Sequence, residues 1–193
     1  VEAAFKNLKN YDQFHVVQGD IYSLPFKKDT FDYVYSLGVL QHTPEVKKAL
    51  LSIPYCIKPS GKICVDFYEK SLWSYLQAKY LLRPFLRRVP NKLLFSILKK
   101  LIKPLLLLST IVSVTPLVGK YLQRLIPVAN YRNILTLNYQ QQLEWSLLDT
   151  FDWFSTEYDN HPTRREVKRW MIDCKFNNIE ILKAGHLVAR AEK

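Results

Sequence analysis

The sequence predicts an α/β protein that carries a basic helical insertion, and three observations lead there. Short apolar runs ending at turns are separated by a helical stretch, the spacing of a parallel crossover unit. The segment from Thr163 onward reads as a capped helix followed by two short strands that turn at Ala184-Gly185. The charge is also uneven. From Lys70 to Leu143 there are twelve Lys or Arg and no Asp or Glu, whereas the rest holds sixteen basic and seventeen acidic residues, so one segment carries the whole net charge of +11.

Val1–Asn10 reads as the middle of a helix, so the sequence is expected to be a piece of a longer chain. Phe14–Gln18 (FHVVQ) is an apolar run that stops at Gly19-Asp20, a predicted strand; Asp29–Leu37 (DTFDYVYSL) is a second. Thr43-Pro44 reads as an N-cap with proline at the first helical position, followed by Val46, Leu50 and Leu51 at helical spacing. Pro54 should shorten that helix, Lys58–Gly61 is a tight turn, and Lys62–Tyr68 (KICVDFY) is a third strand. Thr163-Arg-Arg-Glu166 is a capping box opening a helix with Val167, Trp170, Met171 and Cys174 on one face. Ile179–Lys183 and His186–Ala191 form the closing hairpin.

Within the basic segment, Lys92–Lys103 (KLLFSILKKLIK) places Lys92, Ser96, Lys99, Lys100 and Lys103 on one polar arc, with an unusually wide apolar remainder. Pro104–Gly119 carries no charge, but it is too short to span a bilayer and Pro104 and Pro116 disfavour a continuing helix. Three readings stay open: a helical cap with solvated lysines, a surface that docks on an anionic membrane or admits a lipid-like substrate, and a nucleic-acid surface. Trp73, Tyr75, Tyr80, Phe85, Tyr121 and Tyr131 interleave with the basic residues, yet no RNA or DNA motif accompanies them.

Composition closes off other classes. With 193 residues, 48% of them apolar, the chain is neither collagen-like nor disordered. Three cysteines (Cys56, Cys64, Cys174) do not make a disulfide framework and point to a reducing, cytoplasmic setting. No His/Cys cluster has metal spacing, and five scattered glycines leave no glycine-rich phosphate loop.

Several short motifs occur in one order: Gly19-Asp20-Ile21, Leu24-Pro25-Phe26, Phe31-Asp32-Tyr33-Val34, Leu37-Gly38-Val39-Leu40-Gln41-His42-Thr43-Pro44 and Ile57-Lys58-Pro59-Ser60-Gly61. The series resembles the second half of a class I S-adenosylmethionine-dependent methyltransferase of the type 11 family. Asp149–His161 and the closing helix and hairpin are similar to a subgroup of it. The resemblance implies a partial Rossmann-like sheet, mostly parallel with a C-terminal antiparallel hairpin. It also implies a core over 1–70 and 148–193 and an inserted helical lid over 71–147. In the family the sheet runs 3-2-1-4-5-7-6.

The resemblance further implies S-adenosylmethionine as cofactor and a small-molecule or lipid-linked acceptor. Asp20 matches the acid that accepts from the adenine amino group, and Ile21 the residue whose backbone amide faces adenine. Ser36, Leu37 and Gly38 match the strand end that passes the methionine moiety. His42 stands where a catalytic base would, and Asp149, Asp152, Tyr158 and His161 are the polar candidates for the acceptor site. Taken alone, Asp20 also reads as a turn residue, His42 as a structural one, and His161 as a residue that orients its loop. The first two strands of the family pattern are not matched, Gln41 replaces a common histidine and Ser60 a usual glycine. The chain by itself is therefore expected to bind cofactor weakly or not at all. Two alternatives remain: a non-catalytic remnant that binds a membrane surface or protein through its basic insertion, and an RNA methyltransferase supported by charge alone. Peripheral contact with the inner face of a membrane is compatible with either of the first two readings.

Overall fold

The computed structural model describes residues 1–68, 77–132 and 136–193; Trp73 and Tyr75 lie outside them. The chain divides into two compact units, one of Val1–Glu69 with Asn160–Lys193 and one of Lys70–Asp159.

The first unit is built on a four-stranded sheet. Its strands are β1 (Phe31–Ser36), β2 (Ile57–Phe67), β3 (Asn177–Ala184) and β4 (His186–Glu192), in the order β1-β2-β4-β3. β1 pairs with β2 in parallel, and the other two pairings are antiparallel. Side chains alternate across the sheet. Ile63, Val65, Phe67, Ile181, Leu187, Ala189 and Ala191 point to one face, where Val46, Ala49 and Leu50 of helix α2 (Val46–Ser52) and Val167 and Met171 of helix α7 (Arg164–Asp173) complete the buried core. The opposite face is open: Tyr33 and Tyr35 are 72% and 76% exposed.

Several expectations need correction. Phe14–Gln18 forms no strand, because among the described residues no neighbouring strand offers its amides and carbonyls a ladder. The sheet is accordingly mixed rather than mostly parallel, with a single parallel pair. Thr43 does not cap α2: its hydroxyl donates to the Leu40 carbonyl at 2.7 Å, closing a 3-10 turn at Leu40–His42, and the helix starts later with Glu45 as N-cap. The turn at 58–61 lies inside β2 as a bulge, since Phe31 pairs with Ile57 but Tyr33 already pairs with Lys62. Gly61 suits that close approach, because a Cβ there would stand 2.7 Å from Ile57 Cγ2. Pro54 does end α2, which passes into a 3-10 turn at Ile53–Cys56.

The capping box forms as expected. The Thr163 N–H donates to Glu166 Oε2 at 2.7 Å, and the Glu166 N–H returns to Thr163 Oγ1 at 3.3 Å. Helix α1 (Glu2–Leu8) opens the chain with every residue exposed.

The second unit is helical, with α3 (Ala78–Leu86), α4 (Asn91–Ser113), α5 (Gly119–Leu122) and α6 (Tyr139–Ser155). α4 runs straight through Pro104, against expectation. A proline costs a helix interior about 3 kcal/mol, and the burial of Leu94, Leu98, Ile102 and Leu106 against Leu143, Val128 and Phe154 on both sides of it offsets that loss. α6 is one continuous helix, so the expected return to the core at residue 148 falls inside it. Arg83 closes its carboxyl end, donating to the carbonyls of Trp153 at 2.7 Å and Thr156 at 2.6 Å.

Candidate functional site

In an α/β sheet the ligand crevice lies beyond the carboxyl ends of the parallel strands. Here those ends are Ser36 on β1 and Phe67 on β2. The loop leaving β1 is held by a residue that sequence reasoning missed: Asp66 Oδ1 accepts the Gly38 N–H at 2.6 Å. Gly38 sits at φ +69°, a conformation that favours glycine, so the loop can turn sharply while its amide faces the carboxylate. Leu37 and Gly38 are exposed and Ser36 half-buried.

His42 follows in the 3-10 turn, and its ring lies edge-on to Tyr68 with centroids 6.0 Å apart. Tyr68, just past β2, also meets His161 at 5.7 Å and His186 at 5.1 Å. Residues 42, 68, 161 and 186 thus converge from four separate segments. Of these His42 and His161 are the sequence candidates; His186, which begins the last strand of the hairpin, and Tyr68 are not. The only hint in sequence was that Tyr68 ends the strand KICVDFY. Asn160 locks this cluster: its backbone N–H donates to the Gln41 carbonyl at 2.9 Å and its side chain to the Thr43 carbonyl at 2.8 Å. Gln41 is 0% exposed, and among the described residues neither atom of its side-chain amide has a hydrogen-bond partner. A buried amide left so costs about 1–3 kcal/mol.

Asp20 is exposed, and its Oδ1 accepts the Tyr22 N–H at 2.9 Å. The segment after it is anchored without a ladder. The Ile21 carbonyl accepts the Ser52 hydroxyl at 2.6 Å, the Tyr22 hydroxyl accepts the Glu45 N–H at 2.9 Å, and Ile21, Tyr22 and Leu24 pack against the core.

The acceptor candidates divide between the units. His161 belongs to the first; Asp149, Asp152 and Tyr158 belong to the second. Within α6, Asp149 accepts a short hydrogen bond from the Tyr131 hydroxyl, while Asp152 is exposed. Tyr158 lies beyond the helix and is 36% exposed.

Comparison with known proteins adds three findings. Residues 1–65 match the family described as Methyltransferase domain. A demethylmenaquinone methyltransferase of Oceanobacillus iheyensis is 30% identical over 84 residues, 43% of this chain and 35% of the relative. A sterol 4-C-methyltransferase of Caenorhabditis elegans is 33% identical over 61 residues, 32% of this chain and 18% of the relative. The chain therefore spans about a third or less of these curated relatives. Among solved structures, a possible exported protein from Bordetella parapertussis superposes with a TM-score of 0.52 at 12% identity, covering all of this chain and 49% of the other, a likeness of fold alone. The observed order β1-β2-β4-β3 has the succession of the 4-5-7-6 half of the family sheet. The family match over residues 1–65, the relatives and the strand order point the same way: the chain is similar, over part of its length, to class I S-adenosylmethionine-dependent methyltransferase domains.

Proposed function

We propose that this chain belongs to an enzyme that transfers a methyl group from S-adenosylmethionine to a small-molecule or lipid-like acceptor. One observation carries the reading. At the carboxyl end of the parallel pair, Asp66 fixes the Ser36–Gly38 loop, and the His42 turn follows it directly. The residues present fit the cofactor there: a pinned glycine loop exposes backbone, and the orphaned Gln41 amide is a buried polar group without a protein partner among the described residues.

The cofactor supplies a methyl group already activated on a sulfonium, so the protein mainly positions reactants and excludes water. Asp20 would accept from the adenine amino group with the oxygen its turn leaves available, and the Ile21 N–H would face the same ring. Ser36, Leu37 and Gly38 would run beside the methionine moiety. His42 would take the proton from an acceptor oxygen or nitrogen. Tyr68 holds that imidazole from one side, and Asn160 fixes the backbone that carries it. His161 would contribute to the acceptor side, with Asp149, Asp152 and Tyr158 as further polar candidates. The names of the relatives, which include demethylmenaquinone and sterol methyltransferases, support an apolar acceptor.

The test is transfer of labelled methyl from S-adenosylmethionine into solvent-extractable lipid and quinone fractions by the full-length protein. Label in an extracted product is expected. Asp20→Ala should raise the cofactor KM with kcat little changed, and His42→Ala should lower kcat. Absence both of transfer and of calorimetric cofactor binding by the full-length protein would overturn the reading.

A further inference from the structure

We propose that the exposed side of α4, with the tip that follows it, docks on the surface of an anionic lipid bilayer. The surface is independent of the methyl-transfer reading.

α4 packs inward through Leu94, Leu98, Ile102, Leu106 and Ser109, all buried. Its solvent side is not uniformly polar. Leu93, Ile97, Leu101, Leu108 and Ile111 recur at helical spacing along one exposed stripe, with Leu101 still 46% exposed. Lys92, Lys99, Lys100 and Lys103 form a second exposed stripe beside it. The apolar stripe continues past the helix into the tip. There Val114 and Tyr121 are exposed, and Leu117 is 96% exposed at φ +64°. A leucine in the left-handed region with no packing around it gains nothing in water. An aliphatic stripe flanked by lysines suits a helix lying in the plane of a headgroup layer. Spanning is not involved: no described helix is long and apolar enough to cross a membrane.

Charge selects the occupant. The segment 70–143 holds twelve basic residues and no acid; Lys79 and Arg83 turn to the buried Asp159 carboxylate, while Lys92, Lys99, Lys100 and Lys103 stay exposed, so this surface complements anionic headgroups. The acids of the second unit begin at Glu144, on and beyond α6, which packs on the opposite, buried side of α4. A second copy meeting the same face would set lysine stripe against lysine stripe with no acid to relieve it. Nucleic acid would satisfy the lysines but leave the aliphatic stripe in water.

Co-sedimentation of the protein with vesicles tests the proposal, using phosphatidylcholine alone and phosphatidylcholine with about a quarter phosphatidylglycerol. The unmodified protein should pellet with the anionic vesicles only and be released as salt approaches about 0.5 M. Reversing Lys99, Lys100 and Lys103 to Glu together should weaken partitioning at least about tenfold. Changing Ile97, Leu101 and Leu108 to Ser should weaken it comparably while leaving the circular dichroism unchanged. All these positions are exposed, and the salt series needs no variant at all. Equal pelleting with both vesicle types, no pelleting, or indifference to either triple variant would overturn the proposal. So would a dimer that the serine variant dissolves without any vesicle binding, or binding of RNA in place of vesicles.

Discussion

Asn160 holds Thr43 across 117 positions of sequence, its side-chain amide donating to the Thr43 carbonyl at 2.8 Å. Its own N–H reaches the Gln41 carbonyl at 2.9 Å, so one residue fixes both sides of His42. Asn160→Ala removes the side-chain bond and strands a carbonyl. The expected loss is about 1 kcal/mol, read as a lower urea midpoint with an unchanged slope. An unchanged midpoint would show that the clamp contributes nothing to stability.

Gln41 pulls the other way. Its buried amide has no partner among the described residues, so Gln41→Met, which keeps the volume, is expected to raise stability by about 1 kcal/mol. Thermal denaturation checks this. The same variant should weaken calorimetric binding of S-adenosylhomocysteine by the full-length protein if the amide serves the ligand, a trade of function against stability.

Ser60 sits at φ +62° in the bulge of β2, a conformation that costs a residue with a Cβ about 1–2 kcal/mol. Ser60→Gly should recover part of that, less the entropy glycine adds to the unfolded chain. The expectation is a modest rise in Tm by calorimetry; a fall would mean the serine has a compensating contact.

Lys79 and Asp159 form an ion pair at 3.1 Å with side chains 9% and 3% exposed. Arg83 stands 4.0 Å from the same carboxylate. Asp159→Leu removes the acid from both cations and should cost about 3–5 kcal/mol, whereas Lys79→Met leaves Asp159 with Arg83 and should cost less. The double variant should lose less than the sum of the two. Chemical denaturation of all four proteins closes the cycle, and additive losses would refute the pairing.

Burial pushes the Cys174 thiol up to about 11, with the Asp173 charge adding to it. The thiol is therefore protonated and inert at pH 8, and iodoacetamide should modify it only after unfolding, as read by mass spectrometry. The folded state disfavours the thiolate. The corresponding stability is present below the ordinary value of 9.0 and is lost as pH rises toward 11.

The sequence by itself determined the elements whose signals are local. Thr163 and Glu166 specify their capping box because both partners lie within one turn, and Pro54 ends α2 because a proline acts on its own backbone. The family motifs were legible for the same reason, being short runs around single turns. Tertiary structure alone decided the rest. Phe14–Gln18 has the composition of a strand, but a strand exists only where a neighbour bonds to it. Pro104 reads as a helix breaker, but packing of Leu98 and Leu106 on either side carries the helix through. The meeting of His42, Tyr68, His161 and His186, and the Asp66 bond to Gly38, join residues far apart in the chain. No spacing rule encodes such contacts, because sheet order rather than sequence distance brings them together.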